Sequence, residues 1–522
     1  MIHRFFQWSL IQVIAAYLDR TGMYRVVTHA LVTLTIVALG LGFVGVIPYA
    51  GSEQLLSLVL VLVVALGGNW LGQRLLRVHV NYESAVITAL IVHFLVLPPR
   101  LMVLSDWWPT ILVTALAIAS KFFFVYRKQH LANPAATGAV LASLCYAIIP
   151  GLGSYESLWW IGTPELFIPT VVVGALVVSK VRKWVPVIAL LGVGFVMFVF
   201  EGWRYSGDVV DEMRVFWLSA PYVFLAAFML TEPFTMPPRR RLQAVYGTVV
   251  GLLATTAVFS PFFKMTPELA LVIGNLIFFQ ATVRQKLFFT FSERRMLADR
   301  TYEFVFKKPA GFVFTAGQYL EWMLPHPAVD SRGIRRYFTI ASSPTEPDVR
   351  LSMRVPEHHS SFKEALLRLS PLEVVIASQL AGDFVLPTDH TQPVAFIAGG
   401  IGVTPFRSHL AYLADAKRPQ DVVLYYCNNT ESEIAYRDEF SYIARVIPLR
   451  VVQVLAKEER GSPEYEHGLL TVDIIARRTP DYRDRIWYLS GPPGMVNAYD
   501  KLLREMGVSG NKIKKDFFPG LA

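Results

Sequence analysis

The sequence predicts a multidomain membrane protein: a polytopic α-helical domain of about ten spans, then an antiparallel β-barrel, then an α/β domain with a parallel sheet. The first observation behind this is a split in charge. Residues 1–290 hold 20 Lys and Arg and 12 Asp and Glu, whereas the remaining 232 residues hold 29 and 28. A charge-poor half beside a normally charged half excludes a single globular domain, a disordered chain and a nucleic-acid binder.

Long apolar segments are the second observation. A spanning helix needs about 20 mostly apolar residues, and residues 25–290 are therefore predicted to form a transmembrane domain. Residues 1–24 mix Arg4, Asp19 and Arg20 with large apolar side chains and predict an interfacial amphipathic helix. The candidate spans lie near 27–47, 54–72, 84–98, 109–126, 134–149, 165–179, 184–200, 215–231, 244–261 and 268–283.

Charges in the connecting segments orient these spans. If the N-terminus is cytoplasmic, the inner segments carry 17 Lys and Arg and the outer loops carry four, namely Arg100, Arg204, Arg214 and Lys264. This bias follows the positive-inside rule. It predicts a multi-pass protein of the cell (inner) membrane with both termini and the C-terminal half in the cytoplasm.

Two Pro-Pro turns hint at an internal repeat. Leu97-Pro98-Pro99-Arg100 ends the third predicted span, and Met236-Pro237-Pro238-Arg239 ends the eighth, which runs in the opposite direction. Inverted repeats often place a binding site near the bilayer midplane. Pro-Pro also ends ordinary helices, so both interpretations stay open.

Three stretches of the apolar half carry a family resemblance: residues 83–99, 121–138 with Asn133-Pro134-Ala135-Ala136, and 229–247 with Glu232-Pro233-Phe234-Thr235. Together they resemble the D-type membrane component of Rnf electron-transport complexes and the related B-type component of the sodium-pumping NADH:quinone oxidoreductase. The resemblance implies ten spans in two inverted repeats and a flavin in the membrane. The motif for covalent FMN is absent, which favours a non-covalent second flavin, FMN or riboflavin. Asn133 and Thr163 are its candidate ligands.

Other features of this half have two interpretations each. Trp159-Trp160 fits an aromatic belt at the interface or a platform for an isoalloxazine ring. His79 and His93 are spaced as in haem-binding helices, but bis-His haem needs facing pairs of imidazoles. The two cysteines, Cys145 and Cys427, are too few for a four-cysteine metal site, and the sequence predicts no metal ligands.

The third observation is the change of period after residue 290. Residues 301–388 alternate short apolar runs with turn signals, which predicts the β-barrel. Residues 394–522 alternate apolar strands with helical patterns, which predicts the parallel sheet. The stretch from Gly399 to Pro405 lies between a strand and a helix, where backbone N–H groups and the helix N-terminus favour a pyrophosphate.

A series of motifs makes this half resemble ferredoxin–NADP reductase-type flavoproteins over residues 300–522. The resemblance implies an FAD-binding barrel at 291–388 and an NAD(P)-binding domain at 389–522. The motifs, in chain order, are Gly317-Gln318-Tyr319, Arg336-Tyr337-Phe338-Thr339, Leu351-Ser352-Met353-Arg354, Gly382-Asp383-Phe384, Gly399 to Pro405, Glu433 to Phe440 and Ser490-Gly491-Pro492-Pro493-Gly494-Met495.

The same resemblance assigns roles. Arg336 binds FAD phosphate, Tyr337 or Phe338 packs on the flavin, and Thr339 lies near its N5. Thr339, Thr404 and Ser490 are the candidate catalytic residues. Further cofactor-binding candidates are Gln318, Tyr319, Met353, Arg354, Ser361, Gly399, Gly400, Gly402, Pro405, Gly491, Pro492, Met495 and Phe518.

The departures from the family pattern also carry expectations. Ser490 replaces the family's Cys beside the nicotinamide, and His358-His359-Ser360-Ser361 replaces its Gly-x-x-Ser/Thr element. No Arg follows Cys427-Asn428-Asn429 to bind a 2′-phosphate, which favours NADH slightly over NADPH.

The expected function is that of a membrane-bound NAD(P)H-dependent flavin oxidoreductase. Electrons would pass from NAD(P)H through FAD into the membrane domain and on to quinone or an extracytoplasmic redox protein. The partners are then NAD(P)H, the lipid bilayer and that acceptor, with no nucleic acid. The alternatives are a haem-type ferric or oxygen reductase, a redox-sensing transporter, and a reductase that is merely anchored in the membrane.

Overall fold

The computed structural model describes residues 14, 17, 18, 21–76, 82–126, 129–149, 157–233, 235–237, 240–255, 265–282, 286–330, 333–457 and 464–516. Most of the predicted interfacial helix at 1–24, together with His79, Phe234 and Phe518, lies outside these residues. The chain forms two compact units, Met1–Val283 and Arg284–Ala522. Each is described by itself.

The first unit is helical over its described residues, apart from two two-residue strands, β1 (Val125–Tyr126) and β2 (Gln129–His130). A helix overlaps each of the ten predicted spans. The helices are α1 (Met23–Val44), α2 (Gly51–Leu76), α3 (Tyr82–Leu95), α4 (Trp107–Phe123), α5 (Pro134–Ile148), α6 (Phe167–Val181), α7 (Trp184–Ser206), α8 (Val209–Leu218), α9 (Tyr222–Phe224, continuing as a π-helical turn over Leu225–Met229), α10 (Arg240–Thr255) and α11 (Pro267–Thr282).

Only four of the described helical segments are long and apolar enough to cross a bilayer: Met23–Val44, Gly51–Leu76, Pro164–Val181 and Trp184–Arg204. Ten spans are therefore not shown. The shorter apolar helices include α3, whose 14 residues rise about 21 Å against a hydrocarbon core of about 30 Å. It ends just before Pro98-Pro99, where the prolines cannot continue a helix.

The centre of this unit is aromatic. Trp159 and Trp160 are both buried, and the Trp160 ring packs on His93 and Phe94 with centroids 5.2 and 5.0 Å apart. An interfacial belt needs rings at the lipid headgroups, so that interpretation of the Trp pair is wrong.

The second unit begins with a six-stranded antiparallel sheet, which confirms the antiparallel strands predicted for this region, while closure into a barrel stays a prediction. Its strands are ordered β6-β5-β8-β3-β4-β7, and side chains at alternate positions, such as Leu320 and Trp322 or Leu351 and Met353, fill its core. The elements are β3 (Leu287–Ala298), β4 (Thr301–Lys307), β5 (Tyr319–Met323), β6 (Arg335–Thr339), β7 (Asp348–Arg354), α12 (Ser361–Leu367) and β8 (Val374–Ala381).

A six-stranded parallel sheet follows, which confirms the predicted α/β architecture. Its order is β12-β11-β10-β9-β13-β14, so the chain leaves β9 toward one edge and returns to the other side of β9 with β13. Such a switch point opens a crevice at the carboxyl ends of the two strands. The elements are β9 (Val394–Gly399), α13 (Thr404–Asp415), β10 (Val422–Asn428), α14 (Arg437–Ile443), β11 (Leu449–Leu455), β12 (Glu466–His467), α15 (Val472–Arg478), β13 (Ile486–Ser490), α16 (Pro493–Glu505) and β14 (Ile513–Asp516).

Candidate functional site

Two glycine-containing loops meet at the switch point. β9 ends at Gly399 and β13 at Ser490, and Ser490 lies opposite Ala398 in the ladder. A Cβ on Gly402 would lie 2.6 Å from the Ser490 carbonyl oxygen and from the Gly491 Cα atom. Only glycine permits this approach of two backbones. The sequence-predicted loops are thus brought together as one wall of the crevice.

The same wall includes Met495, Thr404 and Pro405. A Cβ on Gly399 would lie 2.5 Å from the Met495 sulfur atom, so the side chain of α16 packs directly on the end of β9. Thr404 donates from Oγ1 to the Ile401 carbonyl at 2.6 Å, and Pro405 occupies the first turn of α13. This 12-residue helix begins directly after the glycine loop, and a helix N-terminus at such a position favours a pyrophosphate.

A polar face of β5 and β6 forms a second part of the site. Tyr319 lies opposite Thr339 and Glu321 opposite Tyr337. The rings of Tyr319 and Tyr337 meet edge to face with centroids 5.7 Å apart, and Tyr337 donates its hydroxyl proton to Gln379 Oε1 at 3.1 Å. The Gln318 carbonyl accepts from Ile340 N–H at 3.0 Å, which fixes the turn that leads into β5.

Arg336 points to the other side of β6, toward the N-terminus of α12. Its guanidinium lies over the Phe362 ring, 5.3 Å from the centroid, and 3.5 Å from Asp330 Oδ1. The Asp330 carboxylate also accepts from Ser361 N–H at 3.2 Å. The donors of Arg336 and Ser361 therefore hold an anion in this structure, here a carboxylate, which is the donor set that the pyrophosphate of FAD requires.

Three residues that were predicted to contact the flavin contact other protein residues in the structure. Met353 is buried in the core of the antiparallel sheet, because its position in β7 points inward. Arg354 lies on the opposite face of β7 and bonds Glu433 at 2.6 Å. Phe338 packs against the same core and lies 6.0 Å from Phe362, centroid to centroid.

Comparisons with known proteins match this half of the chain. Residues 396–501 match the family model described as oxidoreductase NAD-binding domain. The reductase component of propane 2-monooxygenase from Rhodococcus jostii (strain RHA1) is 27% identical over 218 residues, which is 40% of this chain and 57% of that protein. The C-terminal half is a ferredoxin–NADP reductase-type FAD- and NAD-binding module.

Further similarities lie in the same reductase module. The reductase subunit of an aromatic O-demethylase from Amycolatopsis sp. (strain ATCC 39116 / 75iv2) is 31% identical over 212 residues, 39% of this chain and 61% of that protein. The crystal structure of Amycolatopsis cytochrome P450 reductase GcoB aligns over 45% of this chain and 70% of its own, with 26% identity and a TM-score of 0.41. The chain spans between half and about six-tenths of the length of these curated relatives.

Several residues of the reductase module were missed by the sequence reasoning. Arg407, Ser408 and His409 lie two to four residues after Pro405 on α13 and are buried. The sequence contains a signal for these residues, since three consecutive polar residues on a predicted helix beside a glycine loop are unusual in a core. Asp330 and Glu346 carried no comparable signal, because they lie in polar turns where acids are common.

Two half-buried groups of the module have shifted pKa values. Burial alone would raise the pKa of Glu346, but the hydrogen bond from Arg407 and the charges of Arg407 and Arg350 hold it below its ordinary value. Burial raises the pKa of the Cys427 thiol to about 12. A thiol in that state is not a nucleophile at neutral pH, which leaves Cys427 as a packing residue of β10.

In the helical unit, Asn133 connects three helical segments. It caps α5, where its Oδ1 accepts from Ala136 N–H at 3.2 Å. Its backbone N–H donates to Asn275 Oδ1 at 2.9 Å, and its Nδ2 donates to Glu232 at 2.8 Å. Thr163 is buried, and its hydroxyl donates to the Trp160 carbonyl at 2.5 Å. The two candidate flavin ligands thus lie in different hydrogen-bond groups.

Proposed function

We propose that the protein is a membrane-bound NAD(P)H-dependent FAD oxidoreductase. Electrons pass from NAD(P)H through FAD into the helical domain and on to quinone or an extracytoplasmic redox protein. The observation that carries this proposal is the crevice between β9 and β13, where backbone meets backbone at Gly402 and Gly491. An activity that only sensed redox state would not need a module able to bind both FAD and a dinucleotide.

Different residues would bind the two cofactors of this reaction. Arg336 and Ser361 N–H would hold the FAD pyrophosphate, and Thr339 and Tyr319 are the candidates for contact with the flavin ring. The loop from Gly399 to Pro405 and the loop from Ser490 to Met495 bind NAD(P)H. FAD bound there supplies the conversion of a two-electron hydride into single electrons.

NADH is the favoured donor. The end of β10 faces the ribose in this type of sheet, and there Asn429 donates both its backbone N–H and its Nδ2 to Glu433 Oε2 at 3.1 Å. The Glu433 carboxylate is also paired with Arg354 at 2.6 Å, so the preference for NADH rests on the lack of an Arg after Cys427-Asn428-Asn429 that would bind a 2′-phosphate.

Electron transfer across the membrane requires a redox carrier inside it, since the hydrocarbon core is about 30 Å thick. A second flavin, FMN or riboflavin, is proposed beside Asn133, where the side chains of Glu232 and Asn275 converge. Such a polar group inside a bilayer is costly unless it has a function. Thr163 stays the alternative ligand, on the side of Trp160.

A repeat in the positions and contacts of the helices supports this membrane role. The helices α7, α10 and α11 begin at residues 184, 240 and 267, each 133 residues after α2, α4 and α5. Packing repeats as well, since α2 contacts α4 and α4 contacts α5, just as α7 contacts α10 and α10 contacts α11. We therefore propose ten spans in two halves, with domains at 1–24, 25–290, 291–388 and 389–522 and both termini in the cytoplasm.

Flavin analysis of the purified full-length chain tests the proposal. Acid precipitation separates released from covalently bound flavin. One FAD and a second flavin per chain is the expected result, and FAD alone would refute the second carrier. A Soret band would instead indicate the haem-type reductase. Failure of NAD(P)H to be oxidised with any artificial acceptor would favour the redox-sensing transporter.

A further inference from the structure

One turn of α13 joins the two subdomains of the reductase module. Ser408 donates from Oγ to the Ser342 carbonyl at 2.6 Å, and Arg407 donates from Nη1 to the Ala341 carbonyl at 3.1 Å. Both carbonyls lie two or three residues after Thr339, at the end of the flavin-facing strand. Both donors lie three or four residues after Thr404, at the end of the nucleotide loop.

His409 adds a third contact from the same turn. Its Nε2 lies 3.0 Å from the Phe384 carbonyl, and a Cβ on Gly317 would lie 2.4 Å from that nitrogen. The neutral ring donates from Nε2. Three consecutive side chains of one helix therefore bond three backbone carbonyls of the antiparallel subdomain.

Carboxylates fix the Arg407 guanidinium from two sides. It donates to both oxygens of Glu346, with Nη2 2.9 Å from Oε1, and pairs with Glu439 at 2.6 Å. Glu346 lies in the turn between β6 and β7, whereas Glu439 lies on α14 of the other subdomain. Arg407 is 2% exposed. A forked guanidinium in this setting fixes direction as well as distance, which the single ammonium of Lys cannot do.

We propose that Arg407, assisted by Ser408, is a positioning residue for hydride transfer that sets the separation of the nucleotide loop from the flavin strand. This rests on the proposed function. In that reaction the C4–H bond of NAD(P)H breaks, the hydride carries both electrons to FAD, and NAD(P)⁺ leaves. Transfer depends steeply on the distance between donor and acceptor, so a misplacement of about 1 Å costs about 100-fold in rate.

Arg485 offers a matched control in the same subdomain. It too is 2% exposed and paired with two carboxylates, Asp421 and Asp481, and it bonds a backbone carbonyl, that of Val394, at 3.1 Å. It lies at the amino ends of β9 and β13, the end of the sheet opposite the crevice. Loss of Arg485 therefore removes a buried ion pair without touching the loops.

The experiment compares full-length Arg407→Met, Arg407→Lys, Ser408→Ala and Arg485→Met with the parent protein. Anaerobic stopped flow measures the rate of FAD reduction and the dissociation constant of NADH, and hydrogen–deuterium exchange follows residues 340–343 and 400–405 with and without flavin. For Arg407→Met we expect reduction about 10- to 100-fold slower with NADH affinity within about three-fold, and faster exchange in both segments. Arg485→Met is expected to keep the parent rate.

Other results of this experiment separate the positioning role of Arg407 from the proposed function. If Arg407→Met loses FAD, Ser408→Ala and Arg407→Lys test the positioning role in its place. Both variants are expected to slow FAD reduction by about three- to ten-fold. Parent rates in these two variants, or equal slowing in Arg485→Met, would overturn the positioning role. A parent protein that binds FAD but is reduced by neither NADH nor NADPH would reject the proposed function instead.

Discussion

Among single residues, we expect FAD binding to depend most on Arg336. It is the charged donor of the set that holds the Asp330 carboxylate, and hydrogen bonds to charged groups contribute about 1.5–3 kcal/mol. We expect Arg336→Ala to weaken FAD binding by about 10- to 100-fold, measured by flavin fluorescence on titration of the flavin-free protein. Arg335→Ala on the neighbouring position is the control, and full FAD occupancy in Arg336→Ala would reject the motif assignment.

Asp330 is expected to oppose FAD binding at the site where Arg336 supports it. Its carboxylate lies against Arg336 and Ser361 N–H, where the pyrophosphate of FAD would have to displace it. Asn keeps the shape but lacks the charge that competes, so Asp330→Asn is expected to tighten FAD binding about three- to ten-fold, equivalent to about 0.7–1.4 kcal/mol. Weaker binding in this variant would show that Asp330 supports the cofactor rather than competes with it.

At the scale of elements, the glycine loops could be predicted and the connections between subdomains could not. Gly402 and Gly491 are required by a backbone contact, and such a requirement is local and visible in the sequence. Arg407 and Glu346 are 61 residues apart in the sequence, so their ion pair is decided by tertiary packing alone. The strand motif containing Met353 and Arg354 was located, but the alternation of β7 directs Met353 into the core and Arg354 to Glu433.

The contact of α13 with the turn before β9 also predicts a pH dependence. Burial lowers the pKa of His409 from 6.5 to about 4, the carbonyls of Phe384 and Ala316 oppose this, and Lys514 adds to it. The folded module thus disfavours the imidazolium. The contribution of neutral His409 to the stability of the module is fully present above pH 6.5 and is lost as the pH drops toward 4. The loss approaches about 3 kcal/mol at the lower limit.

We expect the temperature of flavin release from the full-length protein to fall between pH 7 and pH 5. His409→Gln keeps a donor for the Phe384 carbonyl but has no titratable group, so its release temperature should change less over the same range. Glu346, whose pKa lies below its ordinary value, loses its contribution only at more acidic pH and does not mask the effect. Equal slopes for both proteins would exclude His409 as the cause.

For the whole molecule, the sequence predicted the division into a membrane half and a reductase half from charge alone. The number of spans is not shown in the same way, because α3, α5 and α11 are apolar but shorter than the helices that can cross a bilayer. Hydropathy measures only apolarity, and a short buried helix and a spanning helix are equally apolar. The 133-residue offset between helices is a geometric repeat that the divergent sequence of the two halves conceals.

Orientation is the prediction that belongs to this scale. The 17 positive residues of the inner segments against four in the outer loops predict that the reductase module lies in the cytoplasm, and NADH does not cross a bilayer. Inverted membrane vesicles should therefore oxidise NADH with an artificial acceptor at once, whereas sealed right-side-out vesicles should do so only after detergent is added. Arg336→Ala vesicles control for other dehydrogenases. Oxidation by sealed right-side-out vesicles before detergent would reverse the topology, and the route of electrons with it.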